Sequence, residues 1–248
     1  MKAYYLGLKL MFSYFTILPM PFKKSDDLSS PKTLASMLFF LPLAGLVLGA
    51  VILALFSLLH PLEWLAAPLC ALGYMMLYGF LHTEAIMDVA DAMYASHSGK
   101  DAYAVIKEPH VGAMGVLWGV SLLLTKVALL SFLLLSGGTA LAVSIFMVSR
   151  LGLQFLFILQ TFRSHFLTQL KTHFKPTHYM LSLALFGSVG LVLLGWHFVW
   201  LLLLGLVLSF TITQFLKKKL GFVNGDVLGT TLEVTEILLM LLGALLWL

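Results

Sequence analysis

The chain has 248 residues, of which 60% are hydrophobic and only 10% are charged, and its mean hydropathy is +1.01. This composition excludes a water-soluble globular domain and indicates a polytopic membrane protein. The single cysteine, Cys70, excludes an internal disulfide and a CxxC site, and the formal charge of +4 does not indicate nucleic-acid binding, because the basic residues are scattered among the segments between apolar runs.

The first 22 residues form an apolar segment that is interrupted by Lys9 and ends at two prolines. Because Lys9 breaks the apolar stretch and no small-residue cleavage site follows, we predict a retained amphipathic helix at the membrane interface rather than a signal peptide. A polar link comes next, in which Ser29 or Ser30 can cap a helix that has Pro31 in its first turn.

Seven later segments are long and apolar enough to span a bilayer, which takes roughly 17 to 25 residues. Backbone groups in lipid must be paired within the segment, and no strand-like alternation is present, so we predict helices. The predicted fold class is therefore all-α, a single membrane-embedded helical bundle over residues 1–248 with about seven transmembrane helices and the N-terminal amphipathic helix. The predicted spans are 34–59, 64–82, 112–135, 140–162, 178–195, 198–216 and 230–248.

The distribution of Lys and Arg predicts the orientation of this bundle. Thirteen of the 15 lie in segments 1–33, 83–111, 163–177 and 217–229, and none lies in the turns between the other spans. Since basic loops stay on the cytoplasmic side, we predict a cytoplasmic N-terminus, an exported C-terminus and a site at the cytoplasmic ends of the helices. One span more or fewer would invert this orientation.

Residues 81–115, between the second and third predicted spans, hold five of the 11 acidic residues. At 100° per residue, Glu84, Asp88 and Asp91 lie within about 60° of one another on a helix, so they share one face. Like charges at this spacing repel, and Mg²⁺ is the kind of cation that such oxygen ligands bind well. The alternative is an acidic, solvated helix end.

A second polar stretch, residues 221–236, follows the sixth predicted span. On a helix that begins before Asp226, this residue and Glu233 lie within about 20° of each other, and Glu236 follows one turn later. Asp226 alone is also compatible with an ordinary helix cap. Two carboxylates that continue into an apolar helix need a cavity, a metal or a cation, because each costs insertion energy.

Two cations, Lys126 and Arg150, fall inside predicted spans. A charge at this depth is costly without a partner, so each is either a functional group or one half of a buried ion pair.

Four stretches distributed over essentially the whole chain form a recognisable set. They are FSYFTILPMPF (12–22), FLPLAGLVLG (40–49), the pair HTEAIMDVADAM and VIKEPHVGAMG (82–93 and 105–115), and VNGDVLGTTLEVTE (223–236). The first two are weak apolar patterns, whereas the last two are specific in combination and order. Together they resemble the adenosylcobinamide-GDP ribazoletransferase family, the cobalamin synthases.

The acidic motif of that family, His-x-Asp-Gly-Leu-Ala-Asp-Thr-Ala-Asp-Gly, matches at His82, Asp88 and Asp91. It departs at Glu84, where the family has Asp, and at two positions where alanine replaces glycine. The change from Asp to Glu keeps the charge and adds a methylene, so the geometry of a metal site can be reset without loss of the site.

The second motif, Met-Lys-Asp-Ser-Arg-Ile-Gly, matches at Lys107 and Gly112. Glu108 stands where the family has Asp, and His110 stands where it has Arg. His110 gives up a permanent cation that binds phosphate through two parallel hydrogen bonds.

The resemblance implies transfer of the phosphocobinamide group of adenosylcobinamide-GDP to a hydroxyl of α-ribazole or α-ribazole 5′-phosphate, with release of GMP. It implies Mg²⁺ as the cofactor, and the corrinoid nucleotide, α-ribazole and the lipid bilayer as partners, with no nucleic acid. The implied location is the cytoplasmic membrane of a bacterium or archaeon, with several crossings and the active site on the cytoplasmic face. The oligomeric state stays open, a homo-oligomer included.

The resemblance, applied to the acidic and basic residues of both motifs, also implies the members of the site. Asp226 is either a further metal ligand or the base that orients the ribose hydroxyl, and Glu108 and Glu233 are either ligands or supports of ligands. The implied catalytic residues are Asp88, Asp91, Asp226 and Lys107, the metal ligands are Glu84, Asp88, Asp91 and Asp226, and the substrate-binding residues are His82, Lys107, Glu108, His110, Arg150, Arg163, Asn224, Glu233 and Glu236.

Two other functions compete with this one. A CDP-alcohol phosphotransferase also places acids at the cytoplasmic ends of helices, but its Asp-Gly-x-x-Ala-Arg motif is missing here. An ion-coupled transporter would use Lys126, Arg150 and Glu233 as its pathway, but no inverted repeat is visible in the sequence.

Overall fold

The computed structural model describes residues 2–97 and 99–247. Three residues of predicted segments lie outside the described residues: Met1, Ser98 and Leu248. The described part of the chain is helical, which confirms the all-α fold class. In chain order the elements are α1 (Lys2–Phe15), α2 (Pro31–Phe39), α3 (Leu41–Leu58), a 3-10 helix (His60–Leu65), α4 (Ala66–Leu77), α5 (Leu81–His97), α6 (Ala102–Ile106), α7 (Ala113–Leu135), α8 (Thr139–Leu159), α9 (His165–His173), α10 (Pro176–Leu194), α11 (His197–Leu220) and α12 (Gly225–Leu246).

Six of the described helices, α3, α7, α8, α10, α11 and α12, are long and apolar enough to cross a membrane. The last five predicted spans are confirmed as α7, α8, α10, α11 and α12. The last helix begins at Gly225 rather than at residue 230, so Asp226 lies in its first turn.

The second predicted span, residues 64–82, is wrong as a single helix. α4 has 12 residues, too few to cross a bilayer alone, and α5 continues from it at an angle of 78°. Gly79 and Phe80 turn the chain with φ angles of 65° and 53°. The two bent helices together make at most one further crossing, so the bundle has six or seven.

The N-terminal segment forms a helix that is shorter than predicted. α1 ends at Phe15, before both prolines, and it buries Leu6, Gly7 and Met11 against the rest of the bundle. The first predicted span, 34–59, is divided between α2 and α3. The cap of α2 is Ser30, one of the two predicted candidates, whose hydroxyl accepts a hydrogen bond from the backbone N–H of Thr33.

Two of the three turns without Lys or Arg, 136–139 and 196–197, lie together at one end of the bundle. Gly137, Leu194, His197 and Trp247 line one cavity there. At the other end, α1, α9 and the first turns of α5 and α12 surround a second cavity. The structure therefore gathers the N-terminal segment, the acidic stretch and the loop before α12 at the same end, as the charge pattern predicts.

α8 is the central helix of the bundle, and α3, α10, α11 and α12 pack around it. Small residues allow the closest approach. At Gly45, a Cβ would lie 2.6 Å from the carbonyl carbon of Phe146, so α3 lies directly on the backbone of α8. Close packing at glycine is a main source of helix association in membranes, where the hydrophobic effect between helices is weak.

Gly45→Ala is expected to destabilise the bundle, because the new methyl group meets the backbone of α8, which cannot move aside locally. We expect a loss of about 1–3 kcal/mol, seen as a lower melting temperature of the protein in detergent micelles. Gly187→Ala is the matched control, since a Cβ there meets nothing within 4 Å. Equal melting temperatures for the two variants would contradict the proposed contact.

Candidate active site

The candidate active site lies where α5 packs against the first turns of α7 and α12. A Cβ at Gly229 would lie 2.8 Å from the methyl group of Ala85, so glycine at this position lets α12 and α5 approach closely. The Thr230 hydroxyl also joins the two helices, because it donates a hydrogen bond to the Ala85 carbonyl at 3.0 Å. This packing sets the acidic face of α5 beside the start of α12.

Four predicted site carboxylates meet on this surface. Glu84, Asp88 and Asp91 come from α5 and Asp226 from α12; Glu84 is exposed and the other three are half-buried. Burial, and then the negative charges of the other three carboxylates, raise the pKa of Asp88 to about 6. The tertiary structure thus brings together acids from two distant parts of the chain, and their mutual repulsion favours a cation.

The surface fits a magnesium ion through the chemistry of its donors. Among the described residues, no group of three His, Cys, Asp or Glu side chains is close enough to form a ready-made metal cage. Mg²⁺ does not require one, because it commonly takes one or two carboxylates and completes its shell with substrate phosphates and water. The predicted Mg²⁺ ligands therefore stay a prediction that the all-oxygen donor set supports.

Asp91 has two backbone partners in addition to its place on the acidic face. Its carboxylate accepts hydrogen bonds from the N–H groups of Gly112 at 2.5 Å and Gly115 at 2.7 Å. These groups lie at the N-terminus of α7, where a carboxylate satisfies free donors and interacts favourably with the helix dipole. Asp91 therefore joins α7 to α5, whatever its part in metal binding.

Asn224, predicted as a substrate contact, is buried and acts on Asp226. Its side-chain oxygen accepts a hydrogen bond from the N–H of Val227 at 3.0 Å and so caps α12. Its amide nitrogen donates to the Asp226 carboxylate at 2.7 Å. Asn224 therefore orients the carboxylate of Asp226 at the start of the helix.

Two exposed cations flank the ring of Tyr103 next to the acidic surface. The guanidinium of Arg163 lies 3.8 Å from the ring centroid, and the ammonium of Lys107 lies 5.8 Å from it. The positive charge of Lys107 opposes the rise in the pKa of Asp88. The backbone N–H of Arg163 donates to the carbonyl of Val223 at 2.8 Å, which ties this cation to the loop before α12.

Glu108 and His110 follow Lys107 in the loop between α6 and α7, and both are exposed. Their predicted roles in substrate binding stay predictions. His82 lies elsewhere, in the first turn of α5, where only 5% of its surface is exposed and where it lines the cavity beside Asp226.

Arg150, Glu233 and Glu236, also predicted as substrate contacts, lie in a closed network between α7, α8 and α12. The ammonium of Lys126 is 2.5 Å from Glu233 and 2.7 Å from Glu236, and the guanidinium of Arg150 is 2.7 Å from Glu236. All four side chains are almost fully buried. Two cations therefore balance two anions inside the bundle.

Polar side chains complete this network. Tyr78 donates a hydrogen bond to Glu233 at 2.5 Å, and Ser149 donates to Glu236 at 2.8 Å. Tyr74 lies between Glu236 and Arg150, 3.1 Å and 3.2 Å from them. Arg150 pairs with Glu236, and Glu233 pairs with Lys126, so these side chains join α12 to α7 and α8. Their predicted roles in substrate binding stay predictions.

Tyr14 of α1 was not among the predicted site residues. Burial, and then the negative charge of Asp226, raise the pKa of its hydroxyl. The sequence analysis missed Tyr14 because no local pattern links α1 to a helix more than 200 residues later in the chain. The one signal that includes Tyr14 is the apolar stretch 12–22 of the family resemblance.

Comparison with known proteins identifies close relatives of the whole chain. The cobalamin-5-phosphate synthase family model matches residues 7–245. The adenosylcobinamide-GDP ribazoletransferases of Clostridium perfringens and Escherichia coli are each 30% identical, over 95% and 93% of this chain and 96% of each relative. That of Brevibacillus brevis is 27% identical over 94% of this chain and 96% of its own length. No solved structure gives a significant match.

Asp88→Asn is expected to stabilise the protein at pH 8 without divalent cations, because it removes an ionised group that burial and neighbouring acids disfavour. Folding raises the pKa of Asp88 from 3.8 to about 6, so the ionisation penalty is fully present above pH 6 and is lost as the pH falls toward 3.8. Since the group is half-exposed and screened, we expect a gain of only about 1 kcal/mol.

The measurement is the melting temperature in detergent at pH 8 and pH 5, where the gain at pH 5 should be smaller. Glu63→Gln, which changes an exposed carboxylate at the other end of the bundle, is the control and should have no effect at either pH. A lower melting temperature of Asp88→Asn at pH 8 would count against the electrostatic account.

Lys126→Met is expected to destabilise the protein strongly, because it leaves two buried carboxylates with a single cation. Breaking a buried ion pair in this way costs about 3–5 kcal/mol. The double variant Lys126→Met/Glu233→Gln restores neutrality and should melt closer to the wild type, while Lys218→Met, an exposed cation on α11, should change little. If the double variant is no more stable than Lys126→Met, charge balance is not the reason.

Proposed function

Because the chain belongs to the cobalamin-5-phosphate synthase family, we propose that it transfers the phosphocobinamide group of adenosylcobinamide-GDP to a hydroxyl of α-ribazole or α-ribazole 5′-phosphate. The observation that carries this proposal is the acidic surface of α5 and α12 with Lys107 and Arg163 beside it. Carboxylates that repel one another next to two cations suit a diphosphate substrate with its metal ion. The donor and the ribazole acceptor are taken from the name of the relatives, adenosylcobinamide-GDP ribazoletransferase.

The reaction is substitution at phosphorus. The acceptor hydroxyl forms a bond to the phosphorus that carries cobinamide, the bond between that phosphorus and the bridging oxygen breaks, and GMP leaves with the electron pair. For such a transfer the protein supplies position and charge neutralisation rather than covalent chemistry.

Asp226 is the best-placed group to take the proton of the acceptor hydroxyl. Asn224 orients its carboxylate, which lies in the first turn of α12. The alternative role for Asp226, a further metal ligand, uses the same carboxylate from the same direction.

Glu84, Asp88 and Asp91 are the proposed holders of Mg²⁺, together with Asp226 in its alternative role. When bound, Mg²⁺ neutralises the diphosphate and the leaving GMP. Glu84 projects into solvent and is free to move toward a substrate, whereas Asp91 keeps its two backbone hydrogen bonds.

Lys107 and Arg163 are the proposed phosphate contacts. Both are exposed on one side of the acidic surface, and Tyr103 holds the guanidinium in place through its ring. His110 is a further candidate phosphate contact, and its imidazole lacks the two parallel donors that an arginine offers to phosphate.

We place the site on the cytoplasmic face of the cytoplasmic membrane. The loops at this end of the bundle carry nearly all of the Lys and Arg residues, and the turns at the other end carry none. This asymmetry is typical of loops that stay in the cytoplasm.

Purified protein in liposomes with Mg²⁺, adenosylcobinamide-GDP and α-ribazole is expected to release one GMP for each cobamide formed. Asp88→Asn should lower the rate roughly 10²-fold or more, because it removes a carboxylate that would hold Mg²⁺ at the diphosphate. Glu63→Gln, at the opposite end of the bundle, should keep the wild-type rate.

Chromatography resolves GMP and the cobamide, and the melting temperature verifies that each variant is folded. A folded wild-type protein that forms neither product would refute the proposed function. Uptake of a substrate into sealed liposomes without chemistry would favour transport instead.

A further inference from the structure

A cavity of about 120 Å³ lies directly beside Asp226, between α1, α5, α8, α9 and α12. Its walls are mainly apolar: leucines from several helices are joined by four aromatic rings, those of Tyr14, Phe15, Phe157 and Phe166. Of the residues that line this cavity, the proposed reaction uses Asp226 alone. Such a cavity suits a flat, apolar group that is attached to a polar one near the carboxylate.

The buried polar side chain in its wall is His82. Only 5% of its surface is exposed, and no hydrogen bond joins its imidazole to another side chain or backbone group among the described residues. A neutral imidazole carries one donor nitrogen and one acceptor nitrogen, so it can donate a hydrogen bond to a ligand in the cavity. Because His82 lines the cavity, a ligand that enters it can hydrogen-bond to this imidazole.

Aromatic neighbours hold this imidazole in place. The ring of Tyr78 lies 5.2 Å from it and the ring of Phe15 lies 6.5 Å from it. The hydroxyl of Tyr78 is itself bound to Glu233. The buried ion network therefore fixes one side of the cavity that His82 faces.

We propose that this cavity binds the planar aromatic base of the acceptor nucleoside, with His82 donating a hydrogen bond to the free ring nitrogen of the base. The inference rests on the proposed function, in which a ribose hydroxyl must reach Asp226. A base attached to that ribose is separated from the Asp226 carboxylate by the sugar ring alone. Because Asp226 lines the cavity, the base can enter the cavity while the hydroxyl contacts Asp226.

The chemistry of the cavity selects this base over the guanine of the donor. Guanine carries several donors and acceptors on its edges, and an apolar cavity with a single imidazole would leave most of them unpaired, at a large cost in affinity. The base of α-ribazole is a benzimidazole with one free ring nitrogen and apolar edges. The exposed side of the site, with Tyr103 and the two cations, is open to the nucleotide end of the donor.

His82→Leu is expected to raise the KM for α-ribazole about tenfold and to leave the KM for adenosylcobinamide-GDP within twofold, because one hydrogen bond to the base is lost. His82→Gln keeps a donor and should recover part of the affinity. A role of His82 in folding alone would alter the melting temperature but not separate the two KM values.

Leu170→Phe, which fills the cavity from α9, should raise the KM for α-ribazole and shift preference toward the smaller unsubstituted benzimidazole riboside. Leu122→Phe is the matched control, because it lines a separate groove between α5, α7, α11 and α12 and should keep both KM values. Equilibrium dialysis of α-ribazole against each purified variant gives the same comparison without turnover, with weaker binding expected only for the cavity variants.

The outcomes separate this inference from the proposed function. If the wild type forms no GMP, the proposed function fails and the inference falls with it. If the wild type turns over, but His82→Leu and Leu170→Phe leave the KM for α-ribazole unchanged or raise both KM values equally, the cavity is not the base site and the proposed function stands.

Discussion

A buried ion network sets how the central helices are placed. In it, Lys126 and Arg150 pair with Glu233 and Glu236. In a bundle surrounded by lipid, an unpaired charge at this depth is far more costly than a misplaced apolar side chain. The three helices that carry these charges can satisfy all four only at one rotation and one depth relative to each other. The network therefore sets the position of α12, and with it the position of Asp226 at the start of that helix.

The acidic surface follows from the same placement. With α12 held in this position, the Gly229 backbone meets Ala85, and the carboxylates of α5 come to lie beside Asp226. Asp91 then joins α7 to α5 through the backbone of Gly112 and the residues after it. A rigid, neutral interior thus supports a strained cluster of like charges at one end of the bundle, where a substrate and a metal ion can relieve the repulsion.

The two sides of the site differ in chemistry because they are built from different elements. Short, exposed α6 and the loop before α9 present cations and Tyr103 to solvent, which suits phosphates and a polar nucleotide. α1, α8 and α9 enclose an apolar space with His82 at its wall, which suits a flat base. Asp226 lies between the two sides, so a hydroxyl held on one side can reach a phosphorus held on the other.

The sequence predicts the membrane class, the helical fold, five of the spans, a cap at Ser29 or Ser30, and the shared face of Glu84, Asp88 and Asp91. These follow from transfer free energy and from the 3.6-residue period, both of which act over neighbouring residues. Three features appear first in the tertiary structure. Residues 78–80 break the second span, Lys126 pairs with both Glu233 and Glu236 while Arg150 pairs with Glu236, and Tyr14 and Asp226 line one cavity. Each of these depends on how distant helices are rotated and how deep they lie, and local pattern carries no information about either.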